Sequence, residues 1–133
     1  MNGRLLFVCV LAAIFVCGCS RSTKEWFGLT DPAGNLVTSP VRVNSELFAA
    51  YRSPGETADK IAFQFYFKDS AGEWKLIFLN IQKPDRPARL FREPLAAKDL
   101  PPGSYKIVFS RNDMPIGETV FEILPADRQD RPR

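Results

Sequence analysis

Few residue types in this chain could carry out chemistry. Its 133 residues include 3 Cys, 18 Lys+Arg and 15 Asp+Glu, and no His. Without an imidazole there is no Ser-His-Asp or Cys-His nucleophile system, no His-containing zinc site and no histidine pH sensor. The carboxylates Asp31, Glu56, Asp59, Asp69, Glu73, Asp99 and Asp113 stand among Pro, Gly, Ser and Asn residues. Acidic side chains are ordinary in such turns because they bond the local backbone. No pair is set apart as general acid and base, and no stretch has the alternating oxygen ligands of a calcium loop. The glycines are isolated, so none forms a phosphate-cradling loop. The sequence therefore predicts no cofactor, no metal and no enzymatic activity; a carboxylate-dependent glycan hydrolase is the least favoured alternative.

The cations are more suggestive. Lys83, Arg86, Arg89 and Arg92 recur at every third residue through KPDRPARLFR, with Pro84 and Pro87 between them. Polyproline II has three residues per turn, so this spacing would line four cations along one side of an extended segment. Such a row would suit an anionic lipid, an acidic glycan or the acidic edge of an envelope protein, since the arginine fork matches carboxylate and phosphate. Against this, Asp85 and Glu93 lie within or beside the run, and the same cations would also protect a sheet edge from aggregation. A formal net charge of +3 is too small for a nucleic-acid signature, so no nucleic-acid partner is expected.

The amino-terminal residues are an address. Arg4 precedes twelve apolar residues, 5–16 (LLFVCVLAAIFV), and Cys17-Gly18-Cys19 follows. A single charge followed by such a run fits a secretory signal, and the run is short of the ~20 residues a membrane span requires. Val16-Cys17-Gly18-Cys19 resembles the lipobox of bacterial lipoproteins. The resemblance implies cleavage before Cys19 and attachment of lipid to its sulfur. Ser20 in place of Asp is similar to the pattern that permits transfer to an outer membrane. Residues 1–18 would then be a lipoprotein signal peptide and 19–25 a lipidated tether. The chain would be held at the periplasmic face of the outer membrane or the outer face of the inner membrane. Cys9 and Cys17 would leave with the signal and Cys19 would be used for the lipid, so no disulfide or free thiol would remain.

Beyond the tether the hydrophobic period is two. Trp26-Phe27-Gly28-Leu29 reads as a first strand or core plug, the alternative being an aromatic pair at the lipid interface, and Asp31-Pro32-Ala33-Gly34-Asn35 reads as a turn. Alternation from Val41 to Tyr51 is expected to end at Ser53-Pro54-Gly55. In residues 61–68 (IAFQFYFK), Ile61, Phe63, Phe65 and Phe67 share one face, so core packing is preferred over a base-stacking platform. Residues 74–81 (WKLIFLNI) are apolar on both faces, which predicts a central strand. A short edge strand is expected over 89–93 and one helical turn over 95–100. A terminal hairpin is expected from 103–110 and 116–124, with Met114-Pro115-Ile116 at its tip.

Leu100-Pro101-Pro102-Gly103-Ser104-Tyr105 resembles the corner that enters the penultimate strand of immunoglobulin-like and fibronectin type III domains. The resemblance implies that the Tyr105 hydroxyl bonds backbone a few residues upstream; the paired cysteines of true immunoglobulin domains are absent. The expected fold is all-β: a single antiparallel, immunoglobulin-like β-sandwich of about seven strands over 26–124, after a signal helix and before a disordered tail, 125–133. The function expected is that of a membrane-anchored, non-enzymatic binding module. The alternative is an inhibitor or chaperone-like module capping a partner through a loop or edge strand.

Overall fold

The computed structural model describes residues 24–43 and 45–125. The signal segment 1–18, Cys19, most of the tether and the tail beyond Pro125 lie outside the described residues. Eight strands follow in order: β1 (Trp26–Thr30), β2 (Val41–Arg42), β3 (Glu46–Thr57), β4 (Ile61–Lys68), β5 (Trp74–Gln82), β6 (Ala88–Ala96), β7 (Gly103–Arg111) and β8 (Met114–Leu124). The predicted helical turn is a 3-10 turn at Ala97–Asp99. A three-stranded sheet in the order β1-β3-β6 faces a five-stranded sheet in the order β2-β8-β7-β4-β5.

Alternation explains why the sheets share a core. From the three-stranded sheet, Leu29, Leu47, Ala49, Tyr51, Phe91 and Leu95 enter it; from the other come Ile61, Phe63, Phe65, Tyr105, Ile107, Phe109, Phe121 and Ile123. Phe109 is the junction, with its ring 5.1 Å from Phe27 across the core and 5.7 Å, edge-on, from Phe63 beside it. Such tilted and edge-on pairs add to the benefit of burial alone. Phe27 reaches that position because residue 117 is glycine: a Cβ there would collide with the Phe27 ring. Tyr105 is buried between Phe67 and Phe121 and its hydroxyl donates to the Pro101 carbonyl. Burial also raises the pKa of that phenol, so it remains a donor.

Local chemistry sets the hairpins. Between β4 and β5, Asp69 Oδ1 accepts from the Ala71 and Glu73 amides, each at 2.9 Å, and Gly72 takes φ 81°. Between β7 and β8, Asn112 and Asp113 hold φ 49° and 67°, the two positive angles that a two-residue hairpin of matching twist requires.

Several strands depart from the sequence expectation. The run from Val41 to Tyr51 is two strands in different sheets: β2 pairs parallel with β8, whereas β3 lies antiparallel between β1 and β6. Ser53-Pro54-Gly55 does not end β3. An irregularity between Arg52 and Thr57 absorbs these residues, and the Ser53 hydroxyl satisfies the Gly55 carbonyl. β6 extends beyond 89–93, with Pro94 tolerated because β6 is an edge strand. The largest correction is β5, which is not central but the outer edge of the five-stranded sheet.

Two substitutions test this account by chemical denaturation. Gly117→Ala should cost about 1–3 kcal/mol through overpacking against Phe27. Tyr105→Phe, which leaves the Pro101 carbonyl without its donor, should cost about 1–2 kcal/mol.

Candidate functional site

The β5 edge combines exposure with apolar chemistry. Leu76, Ile77, Phe78, Leu79 and Ile81 are 53%, 42%, 36%, 47% and 52% exposed, an uninterrupted apolar stretch from 76 to 79. The turn at Asp69–Glu73 brings the strand back along β4, and the register then decides its faces. Phe78 lies opposite Phe65 and stacks on it with centroids 4.1 Å apart, so it closes the margin of the core. Leu79 and Ile81 lie opposite Gln64 and Ala62 and share their outward face. The ladder is irregular between Phe65 and Tyr66, where Ile77 is the extra residue on β5; a bulge of this kind bends an edge.

The two ends of β5 differ. Near its start, Lys106 Nζ lies 4.9 Å from the Trp74 ring and 5.0 Å from Tyr66, and Lys68 Nζ lies 5.7 Å from Trp74. Lys75 is paired with Glu73 at 3.2 Å. At its finish, Gln82 Nε2 donates to the Arg92 carbonyl at 2.7 Å, tying β5 to the other sheet. Among the described residues the edge therefore offers unpaired backbone and apolar side chains, with ammonium groups at one end. That combination can add an extended segment of a partner as a further strand, with the apolar side chains giving affinity.

The four cations singled out by spacing do not form one row. Residues 88–96 pair with β3 as a strand, and strand side chains alternate with period two, so Arg89 and Arg92 point to opposite faces of β6. Arg92 lies 4.0 Å over the Phe48 ring and donates to the Pro32 carbonyl at 3.3 Å, holding the 31–35 turn against the sheet. Lys83 and Arg86 are exposed in the β5–β6 connection. At the β7–β8 tip, Met114 is 71% exposed, whereas Ile116 packs against the core.

The carboxylates have local roles. Asp31 is held below the usual aspartate range chiefly by the Asn35 backbone amide and side chain. Asp59 is held below it by the Asn112 side chain, then by Arg111 and Thr57, and its Oδ2 accepts from Arg111 Nε at 2.7 Å. No group of three metal-ligating side chains occurs among the described residues. A groove of about 300 Å³ between Ser45–Phe48 and Pro94–Ala97 has a mostly apolar lining.

β5 was missed as a site because an apolar run in sequence does not say which strands will flank it. Lys75 and Asn80 within the run were the one available sign of an edge.

No family model matches the chain, and no curated protein does. Among solved structures, an immunoglobulin-like protein from Pseudomonas aeruginosa matches 77% of this chain and 93% of its own at 13% identity, with a TM-score of 0.55. A second match covers 74% of this chain and 29% of the Pseudomonas fluorescens alkylpurine DNA glycosylase AlkC, at 12% identity and a TM-score of 0.45; it carries no weight for the fold or function of this chain.

The Asp59 contact generates a pH prediction. Its carboxyl ionises below its ordinary value when folded, so the stabilisation is present above about pH 4 and is lost as pH falls through the folded pKa. Acid unfolding of Asp59→Asn should show less pH dependence below pH 4 than the parent; identical profiles would remove Asp59 from that role. On these observations, the described domain has an immunoglobulin-like fold.

Proposed function

We propose that this chain is a lipid-anchored, non-enzymatic binding module of the bacterial cell envelope that takes an extended segment of a protein partner along the β5 edge. The observation that carries this reading is the exposed run Leu76–Leu79, continued by Ile81. An exposed apolar edge is an aggregation hazard unless something covers it, and envelope modules can use such an edge to cap a partner strand. Capping through an edge strand is favoured over capping through the β7–β8 tip, because Ile116 of that tip is packed against the core. The anchor rests on Val16-Cys17-Gly18-Cys19, with residence at the periplasmic face of the outer membrane or the outer face of the inner membrane.

Two measurements test the proposal. A photo-crosslinker at position 79, in the native cell, should trap a protein, and Leu76→Lys with Ile81→Lys should abolish that adduct. Both side chains are exposed, so the unfolding free energy should stay within about 0.5 kcal/mol of the parent. An adduct that survives the double substitution removes β5 as the site. Separately, Cys19→Ala should abolish incorporation of labelled palmitate, and label that persists overturns the anchor.

A further inference from the structure

The strand registers sort the molecule into two ends. Trp26 of β1 lies opposite Arg52 of β3, and Arg52 opposite Leu90 of β6. In the other sheet, Ile61 lies opposite both Gln82 and Arg111, and Arg111 opposite Met114. The sheets are locked at this level by Phe27 against Gly117 and Phe109, and β3 passes into β4 through residues 58–60. One end of the domain therefore gathers the exit of the amino-terminal segment, the β5–β6 connection with Lys83 and Arg86, and the β7–β8 tip with Met114. The 69–72 turn, Trp74 and the exit of the carboxy-terminal segment are at the opposite end, since Lys68 pairs with Trp74 and Gly103 with Ile123.

We propose that the end bearing Met114, Lys83 and Arg86 rests on the anionic surface of the bilayer and stands the strands along the membrane normal. This rests on the lipid-anchor reading above. Three observations converge. From a lipidated Cys19 to Trp26 the chain spans at most about 25 Å, so the exit end is the one held near the lipid. That end carries exposed apolar groups in separate elements: Met114 at 71% and Leu90 at 48%. Lys83 and Arg86 are exposed there and make no ion pair among the described residues, in contrast to Lys60 and Arg111, which are neutralised by Asp113 and Asp59 at 2.7 Å each. Cations beside apolar groups suit an anionic headgroup region, where buried apolar area and attraction to anionic lipids add. Asp85 and Glu56 are at the same end and limit the attraction. In this orientation β5 stands upright beside the membrane, with its free edge turned sideways and open to a partner.

The test uses the full, lipidated chain reconstituted in phosphatidylcholine vesicles, with and without phosphatidylglycerol, containing headgroup nitroxide lipids. A fluorophore is attached through Met114→Cys in one protein and through Ala71→Cys, in the turn at the opposite end, in another. Quenching several-fold stronger at 114 than at 71, and increased by phosphatidylglycerol, is the expected result. Equal quenching, or stronger quenching at 71, overturns the proposal. The Lys83→Glu, Arg86→Glu double variant should lose the phosphatidylglycerol effect while still floating with the vesicles; an unchanged effect overturns the role of these cations. Flotation of the parent chain reports the anchor separately. If the chain does not float, the anchor fails, and the two probes on anionic vesicles at low salt still decide the contact face. Protection of position 114 by a crosslinked protein in place of lipid overturns the proposal as well.

Discussion

Three strands face five across this core, and the difference in width governs how the surface is used. A side chain is buried in such a fold only where a facing sheet covers it. β4 and β7 are flanked on both sides and bury Phe63, Phe65, Ile107 and Phe109 almost completely. Among the described residues β5 has a neighbour on one side only, and its apolar residues from Leu76 to Ile81 stay substantially exposed. Phe78 marks the boundary: stacked on Phe65, it is still 36% exposed. One edge of the other sheet, β6, is protected by Pro94 and by charged side chains within the strand, devices that discourage pairing with another chain. β5 has a bulge at Ile77 and one cation, Lys75, near its start, a weaker defence.

The second organising feature is the polarity of the strands. Antiparallel hairpins return the chain repeatedly to the same two ends, so residues distant in sequence meet there. Arg111 reaches Asp59, Asn112 exchanges hydrogen bonds with Lys60, and Lys60 pairs with Asp113. These contacts fix the β7–β8 tip to the β3–β4 connection. The tip is thereby a defined surface, and Met114 is presented at its margin.

Strands whose side chains alternate cleanly were legible in the sequence. β4 has four large apolar residues on one face and polar or small ones on the other, and its bounds, Ile61–Lys68, match the pattern. The β4–β5 turn was readable from Asp69 and Gly72 because its hydrogen bonds are local. The transfer of the chain from one sheet to the other between β2 and β3 was hidden, because alternation continues through Val41, Val43, Leu47 and Ala49 whichever sheet the residues join. The spacing of Lys83, Arg86, Arg89 and Arg92 was misleading for a related reason. A three-residue repeat lines up in polyproline II, but it falls on opposite faces once β3 draws residues 88–96 into a strand.

The sequence by itself determined the β class, the hairpins, the inward face of β4, β7 and β8, and the absence of imidazole chemistry. Each of these depends on residue type and short-range spacing, which the unfolded chain already contains. Only the tertiary structure decided that β5 is an edge, that Arg92 is turned onto Phe48, and that Met114 shares an end with Lys83 and with the start of β1. Edge or centre, and near or far end, depend on which strands pair and on how wide the facing sheet is. Those are outcomes of long-range hydrogen bonding and burial, and no local pattern encodes them.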